Sequence, residues 1–225
     1  MRVRQGKNIA ASIRMRLLQI SKNQKVDFNR ILLLYVHERF LYRLMHSKFK
    51  DNFILKGGVL FYGMHRLNAR QTKDIDFLVK GLKNEANELE KIIAEIVTKK
   101  IEDGLLFDES SLSVEEISGT AEYHGLRLRL LTFLEQARIN LQLDLGFGDV
   151  IFPKQISFEY PSMLEDENFK INAYSWESVI SEKFEAIVKL SDINSRMKDF
   201  YDLYFLIYNH IFDGKNLGEA ISKTF

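Results

Sequence analysis

The chain has 225 residues, 46% of them hydrophobic, with 17 Phe, 2 Pro, no Cys and a net charge of +1. That is enough apolar material for one large or two small packed domains, and it excludes global disorder and long proline-rich linkers. The lack of cysteine excludes disulfides, thiolate zinc sites and a cysteine nucleophile. No apolar run approaches the length of a membrane span and no secretory signal opens the chain, so a cytoplasmic protein without a membrane partner is expected.

Residues 1–30 carry eight basic side chains (Arg2, Arg4, Lys7, Arg14, Arg16, Lys22, Lys25 and Arg30) against the single acid Asp27. Such a stretch suits a nucleic-acid backbone, and equally a solvated helix face. Ile9, Ile13, Leu17, Leu18 and Ile20 recur at helical spacing from Asn8 to Ser21. Asp27 is placed to cap a second helix running through Ile31, Leu34, Tyr35, Phe40, Leu41 and Leu44.

Phe53-Ile54-Leu55 is a short apolar run that ends in Lys56-Gly57-Gly58, and Val59–Met64 begins a helix leading away from it. Exposed backbone N–H groups at a glycine pair suit a phosphate. Arg70 and Thr72 then lead into Asp74-Ile75-Asp76-Phe77-Leu78-Val79. Alternate residues of a strand share a face, so Asp74 and Asp76 lie together, roughly 6.5–7 Å apart along the strand. Two like charges that close are costly to bury unless a cation neutralises them. A hard divalent ion held through oxygen fits, and Mg²⁺ typically takes one or two carboxylates plus substrate phosphates. Either motif by itself is usually an ordinary turn or strand end. Their combination, inside a β-prone run, is the layout of a nucleotidyl-transfer site.

The helical stripe Leu89, Ile92, Ile93, Ile96, Val97 falls within Asn84–Glu102, and acids outnumber lysines across 85–122. The period then changes to two in Leu112–Ser118, Leu126–Leu131 and Ile139–Phe147, which read as three neighbouring antiparallel strands joined through Gly119–Gly125 and Leu134–Arg138. On the third, Leu141, Leu143 and Leu145 face one side while Asn140, Gln142 and Asp144 face the other. Asp144 completes a trio with Asp74 and Asp76 if the two strands are neighbours; otherwise it is a solvent-facing acid. Asp149, just past the strand, competes with it. Three carboxylates can hold divalent metal, or metal plus the proton of an attacking hydroxyl.

Ile156–Tyr160 reads as a further short strand, and Ser178–His210 is helical. Lys183 lies among Val179, Ile180, Phe184 and Ile187, a surface its long stem can cross to reach a phosphate. Arg196, Lys198, Asp199 and Asp202 follow, the two acids one helical turn apart. This cluster suits nucleotide contact, an ion-pair network between helices, or both. The five histidines include no i, i+4 pair, and there is no GxxxxGK[ST] loop or GxSxG elbow, so zinc-protease, P-loop and serine-hydrolase sites have no support. The fold class read from this order is α+β. Residues 1–50 form N-terminal helices on the core, 51–160 a mixed-sheet core, and 161–225 a helical C-terminal lobe.

The stretches Phe53-Ile-Leu-Lys-Gly-Gly-Val-Leu and Arg70-Gln-Thr-Lys-Asp-Ile-Asp-Phe resemble the signature of the AbiEii/AbiGii nucleotidyltransferase toxins, within the DNA polymerase β-like superfamily. Glu38-Arg39 with Arg43, Leu143-Asp-Leu-Gly-Phe-Gly-Asp, Ser181-Glu-Lys-Phe-Glu-Ala and Arg196-Met-Lys-Asp-Phe-Tyr-Asp-Leu extend the resemblance from about Asp27 to Tyr208. It implies a nucleotidyltransferase core with a helical C-terminal lobe. It also implies a type IV toxin of an abortive-infection or antiviral defence system, with a cognate antitoxin, acting on the acceptor end of tRNA. Carried onto this chain, Gly57 and Gly58 would cradle the triphosphate and Asp74, Asp76 and Asp144 would bind Mg²⁺ or Mn²⁺. Lys183 and Asp199 would complete the catalytic set, with Lys56, Arg70, Thr72, Arg196 and Lys198 on the NTP. Val59 departs from the small or hydroxylated residue many relatives place beside the glycine pair, and the C-terminal helical tail is expected to be reduced. Two other readings fit the same residues: a nucleotide- or partner-binding module without chemistry, and a nucleotidyltransferase acting on a protein or small-molecule hydroxyl.

Overall fold

Alternation decides which face of each strand is buried. A computed structural model of the chain describes residues 2–118, 124–164, 167–190 and 197–225. Two helices, α1 (Arg2–Gln24) and α2 (Phe28–Met45), precede strand β1 (Phe53–Lys56), which runs straight into α3 (Gly57–His65). A single 3₁₀ turn (Arg66–Asn68) leads to β2 (Asp74–Val79), then α4 (Ala86–Val97) and three long strands, β3 (Leu105–Ser118), β4 (His124–Leu134) and β5 (Ala137–Phe147). The chain continues through β6 (Ile156–Tyr160), β7 (Phe169–Ala173), α5 (Trp176–Leu190), α6 (Met197–Asn209) and α7 (Gly214–Thr224).

The strands form one seven-stranded sheet in the order β3-β4-β5-β2-β1-β7-β6. β3, β4 and β5 are antiparallel neighbours, as their alternation predicts. β2 joins β5 in parallel and β1 antiparallel, and β1 in turn pairs with β7 in parallel. The sheet is therefore mixed. β3 begins earlier than its alternation suggests, because the register shifts between Asp108 and Ser113 and breaks the period. β7 lies inside the stretch read from sequence as a helical lobe. Its alternation spans five residues, too few to stand out.

One sheet face is apolar and covered by α2. Phe77 of β2 packs with its ring 6.4 Å from Phe40 of α2 and 5.5 Å from Phe53. Leu141, Leu143 and Leu145 of β5 turn to the same interior and are buried. Asp27 caps α2 by accepting the Arg30 N–H at 3.2 Å, as expected for a residue with a free carboxylate at that position. Nearly every side chain from Ile31 to Leu44 is buried, and each fully buried large apolar one contributes about 1.5–3 kcal/mol.

Even the α2 charges are interior. Arg43 grips Asp103 through both guanidinium nitrogens at 2.5 and 3.0 Å, Arg39 adds a third bond at 3.1 Å, and Glu38 accepts from the Met163 N–H at 2.7 Å. Glu38, Arg39 and Arg43 thus tie α2 to the segments before β3 and after β6. α1 packs on α2, behind the apolar face of the sheet. Arg14 and Arg16 of the basic N-terminal stretch stay at the surface, where they pair with Glu135 and the Leu164 carbonyl. Among the described residues no helix is long and apolar enough to cross a membrane.

Candidate active site

The polar face of the sheet carries a row of charge across four strands. Lys56 on β1 lies opposite Asp76 on β2, Asp76 opposite Asp144 on β5, and Asp144 opposite Arg127 on β4. Cross-strand partners point to one face, so this register turns residues distant in sequence into neighbours. Asp74, one strand period from Asp76, lies opposite Gln142. Carboxylate oxygens of Asp74, Asp76 and Asp144 all lie within 4.8 Å of one another.

Glycine is required at the bend beside them. Gly57 has φ +67°, and a Cβ there would sit 1.9 Å from Asp76 Oδ2. At Gly58 a Cβ would meet Thr72 Oγ1 at 2.5 Å. The backbone at the start of α3 is thereby brought hard against the acids, with the helix N-terminus turned toward them. Gly57→Ala is expected to displace Asp76, cutting nucleotidyl transfer at least about tenfold, and to cost about 1–2 kcal/mol for the left-handed backbone. Gly81 also has positive φ (+70°), but its nearest neighbour is an Asn52 side-chain nitrogen at 3.3 Å. Gly81→Ala is therefore the control, sharing the backbone cost and keeping activity. Equal activity in the two variants would contradict the close-approach role of Gly57.

Electrostatics mark Asp76 as the focus. Burial and the adjacent Asp74 charge push its carboxyl up to about 7, against the pull of Lys56. Thr72 donates to Asp74 Oδ1 at 3.0 Å. Arg127 holds Asp144 with a two-pronged grip, Nε to Oδ1 at 2.8 Å and Nη2 to Oδ2 at 2.6 Å, and Gln142 donates to Oδ1 at 3.2 Å. Excess negative charge on three converging oxygen donors fits a hard divalent cation.

Two ion-pair networks frame the acids. Lys56 donates to Asp149 at 2.6 Å and to Glu182 at 3.0 Å, and the Tyr174 hydroxyl donates to the same two carboxylates. Burial works against the Lys56 charge, but Glu182 and Asp149 outweigh it and hold its ammonium above the ordinary lysine range. On the other side, Asp202 of α6 is fully buried. It accepts two bonds from Arg70 at 2.9 Å and pairs with Lys183 at 2.7 Å, while Lys183 also donates to Asp199 at 3.0 Å.

A cleft of about 520 Å³ brings Lys56, Gly57, Arg70, Asp76, Asp144, Lys183, Lys198 and Asp199 together. Asp74, Gly58 and Thr72 are not among the residues that line it, and Arg196 lies outside the described residues. Lys56 and Arg70 meet carboxylates of their own, so their first task is to hold α5 and α6 against the sheet. Asp149 belongs to the Lys56 network rather than to the acid trio. Arg127, Tyr174 and Glu182 have no site role in the sequence reading, where Asp149 stands only as a rival to Asp144 and Asp202 only within the Arg196–Asp202 cluster. Arg127 alternates with Leu126 and Leu128, which marks its face, but nothing local marks its partner.

A mixed sheet with paired acids on one strand, a third on its parallel neighbour, and a glycine bend opening a helix beside them defines a nucleotidyltransferase. The chain belongs to the AbiEii family, described as "Nucleotidyl transferase AbiEii toxin, Type IV TA system", which it matches over residues 39–225. A candidate nucleotidyltransferase from H. pylori of known crystal structure is 17% identical, with a TM-score of 0.51 over 78% of this chain and 69% of that one. JHP933 from Helicobacter pylori is 18% identical, with a TM-score of 0.49 over 81% of this chain and 66% of that one. The first of these shows a shared fold. No curated protein matches the chain significantly.

Proposed function

We propose that the protein transfers a nucleoside monophosphate from an NTP to the 3′ end of tRNA, in a reaction dependent on Mg²⁺ or Mn²⁺, as a toxin controlled by a cognate antitoxin. The observation that carries the catalytic part is the convergence of the Asp74, Asp76 and Asp144 oxygens beside the Gly57 bend. The triphosphate lies along the cleft, its charge met by the α3 N-terminus and by Lys183 and Lys198. The acceptor hydroxyl oxygen bonds to the α-phosphorus, the bond from that phosphorus to the bridging oxygen of the β-phosphate breaks, and pyrophosphate leaves. The hydroxyl proton passes to the carboxylate cluster and on to water. Divalent metal held by the three acids supplies charge neutralisation for the phosphates. Asp199 and Asp202 orient Lys183, whose ammonium lies over the Phe61 ring, 5.6 Å from its centroid.

The tRNA acceptor rests on the family resemblance, and a cleft that is open and rimmed by lysines is compatible with it. The basic N-terminal stretch is not the natural grip for an acceptor, since α1 packs behind the opposite face of the sheet. Incubation with each α-labelled NTP, total RNA and cell protein tests the proposal. Label in tRNA is the expected result. Label in protein or a small molecule would move the acceptor to the other class, and no transfer with any NTP would favour a module without chemistry.

A further inference from the structure

Arg127 occupies a position in the charge row that a simple ion pair does not explain. Its guanidinium lies flat against both oxygens of Asp144, at 2.8 and 2.6 Å, in the forked geometry that makes such pairs strong and directional. Asp144 lies in turn directly across from Asp76. Glu115, on the outer side of Arg127, is 3.9 Å away with a half-exposed side chain, so it competes weakly. The cation at the other end of the row is not equivalent. Lys56 faces two carboxylates of its own, Asp149 and Glu182, and Arg70 faces Asp202, so the pull of both cations on Asp76 is offset by the acids they already pair with. Lys198 is exposed on α6 and screened by solvent.

The charge count is then simple. Asp74, Asp76 and Asp144 contribute three negative charges when ionised and Arg127 one positive charge, which leaves two. One divalent ion balances that; two would overfill it. We propose that Arg127 is a positioning residue that acts as a fixed cation within the acid cluster. It holds Asp144 in place and limits the nucleotide-free protein to a single divalent ion. This rests on the metal-binding reading of the trio. The site is thereby short of a second ion until a triphosphate adds negative charge of its own.

Manganese titration of the full chain without nucleotide, followed by electron paramagnetic resonance of free Mn²⁺, tests this. The wild type is expected to bind one ion. Arg127→Met and Arg127→Gln, which remove the charge, are expected to bind two, the second within about tenfold of the first in affinity. Arg127→Lys, which keeps the charge without the fork, is expected to remain at one. Thermal melts of each variant with and without Mn²⁺ show which are folded. Two ions on the wild type would overturn the proposal without reference to any variant. A folded neutral variant that stays at one ion would also overturn it. No ion on the wild type would overturn the metal-binding reading of Asp74, Asp76 and Asp144 itself.

Discussion

Replacing Asp76 with alanine is expected to reduce nucleotidyl transfer by about 10³-fold or more and to abolish toxicity, while the protein melts no lower than the wild type. Asp76 stands at the centre of the charge row, with acids on two sides, and catalysis of this kind consists mainly of positioning and charge neutralisation. The same crowding makes Asp76 a burden on the metal-free fold. Its carboxyl is raised from 3.8 to about 7 by burial and by the Asp74 charge. Between those two values the folded chain holds a proton that the unfolded chain has released. Stability of the metal-free protein therefore falls as pH rises through that window, by about 1.4 kcal/mol per unit from this group, and levels off above about 7. Asp76→Asn removes that dependence and is expected to be the more stable protein at pH 8. Only the ionised carboxylate binds metal, so divalent-ion affinity in the wild type falls as pH drops below about 7. Denaturant titrations of the two proteins at pH 5 and pH 8 measure the effect. Transfer by Asp76→Ala at the wild-type rate, or parallel pH profiles for wild type and Asp76→Asn, would refute the assignment.

Replacing Asp202 with alanine is expected to destabilise the protein by about 3–5 kcal/mol. Asp202 is fully buried and is the shared partner of Arg70 and Lys183. Without it, two cations are left close together at the joint between α6, α5 and the loop before β2. In a chain of this size that corresponds to a fall of roughly 10 °C in melting temperature. Activity is expected to fall further than stability alone explains, since Lys183 loses one of the two carboxylates that aim it. Asp202→Asn keeps the shape and some of the hydrogen bonds, so its loss is expected to be smaller. A loss under about 1 kcal/mol for Asp202→Ala would mean that this network does not hold the helices to the sheet.

Much of the site was legible because strand periodicity is local. Asp74 and Asp76 share a face by spacing, and Asp144 declares its face by standing between Leu143 and Leu145. The glycine bend at Gly57 follows from composition, since few residues tolerate its backbone angle. What was not legible is pairing. β2 and β5 lie side by side although α4, β3 and β4 separate them in the chain, and a register one residue off would have turned Asp144 to the apolar face. Lys56 shows the same limit from the other direction. Beside a glycine pair it reads as a phosphate ligand, yet folding delivers Asp149 and Glu182 to its ammonium.

The sequence by itself determined the α+β class, the paired acids Asp74 and Asp76, the face on which Asp144 lies and the glycine bend beside the pair, because these depend on residues within a few positions of one another. Only the tertiary structure decided that the acids converge, that Arg127 clamps the third of them, and that Asp202 joins Arg70 to Lys183. Those contacts join residues far apart in the chain, and charges meet there because strand order and helix packing bring them together, which no local pattern encodes.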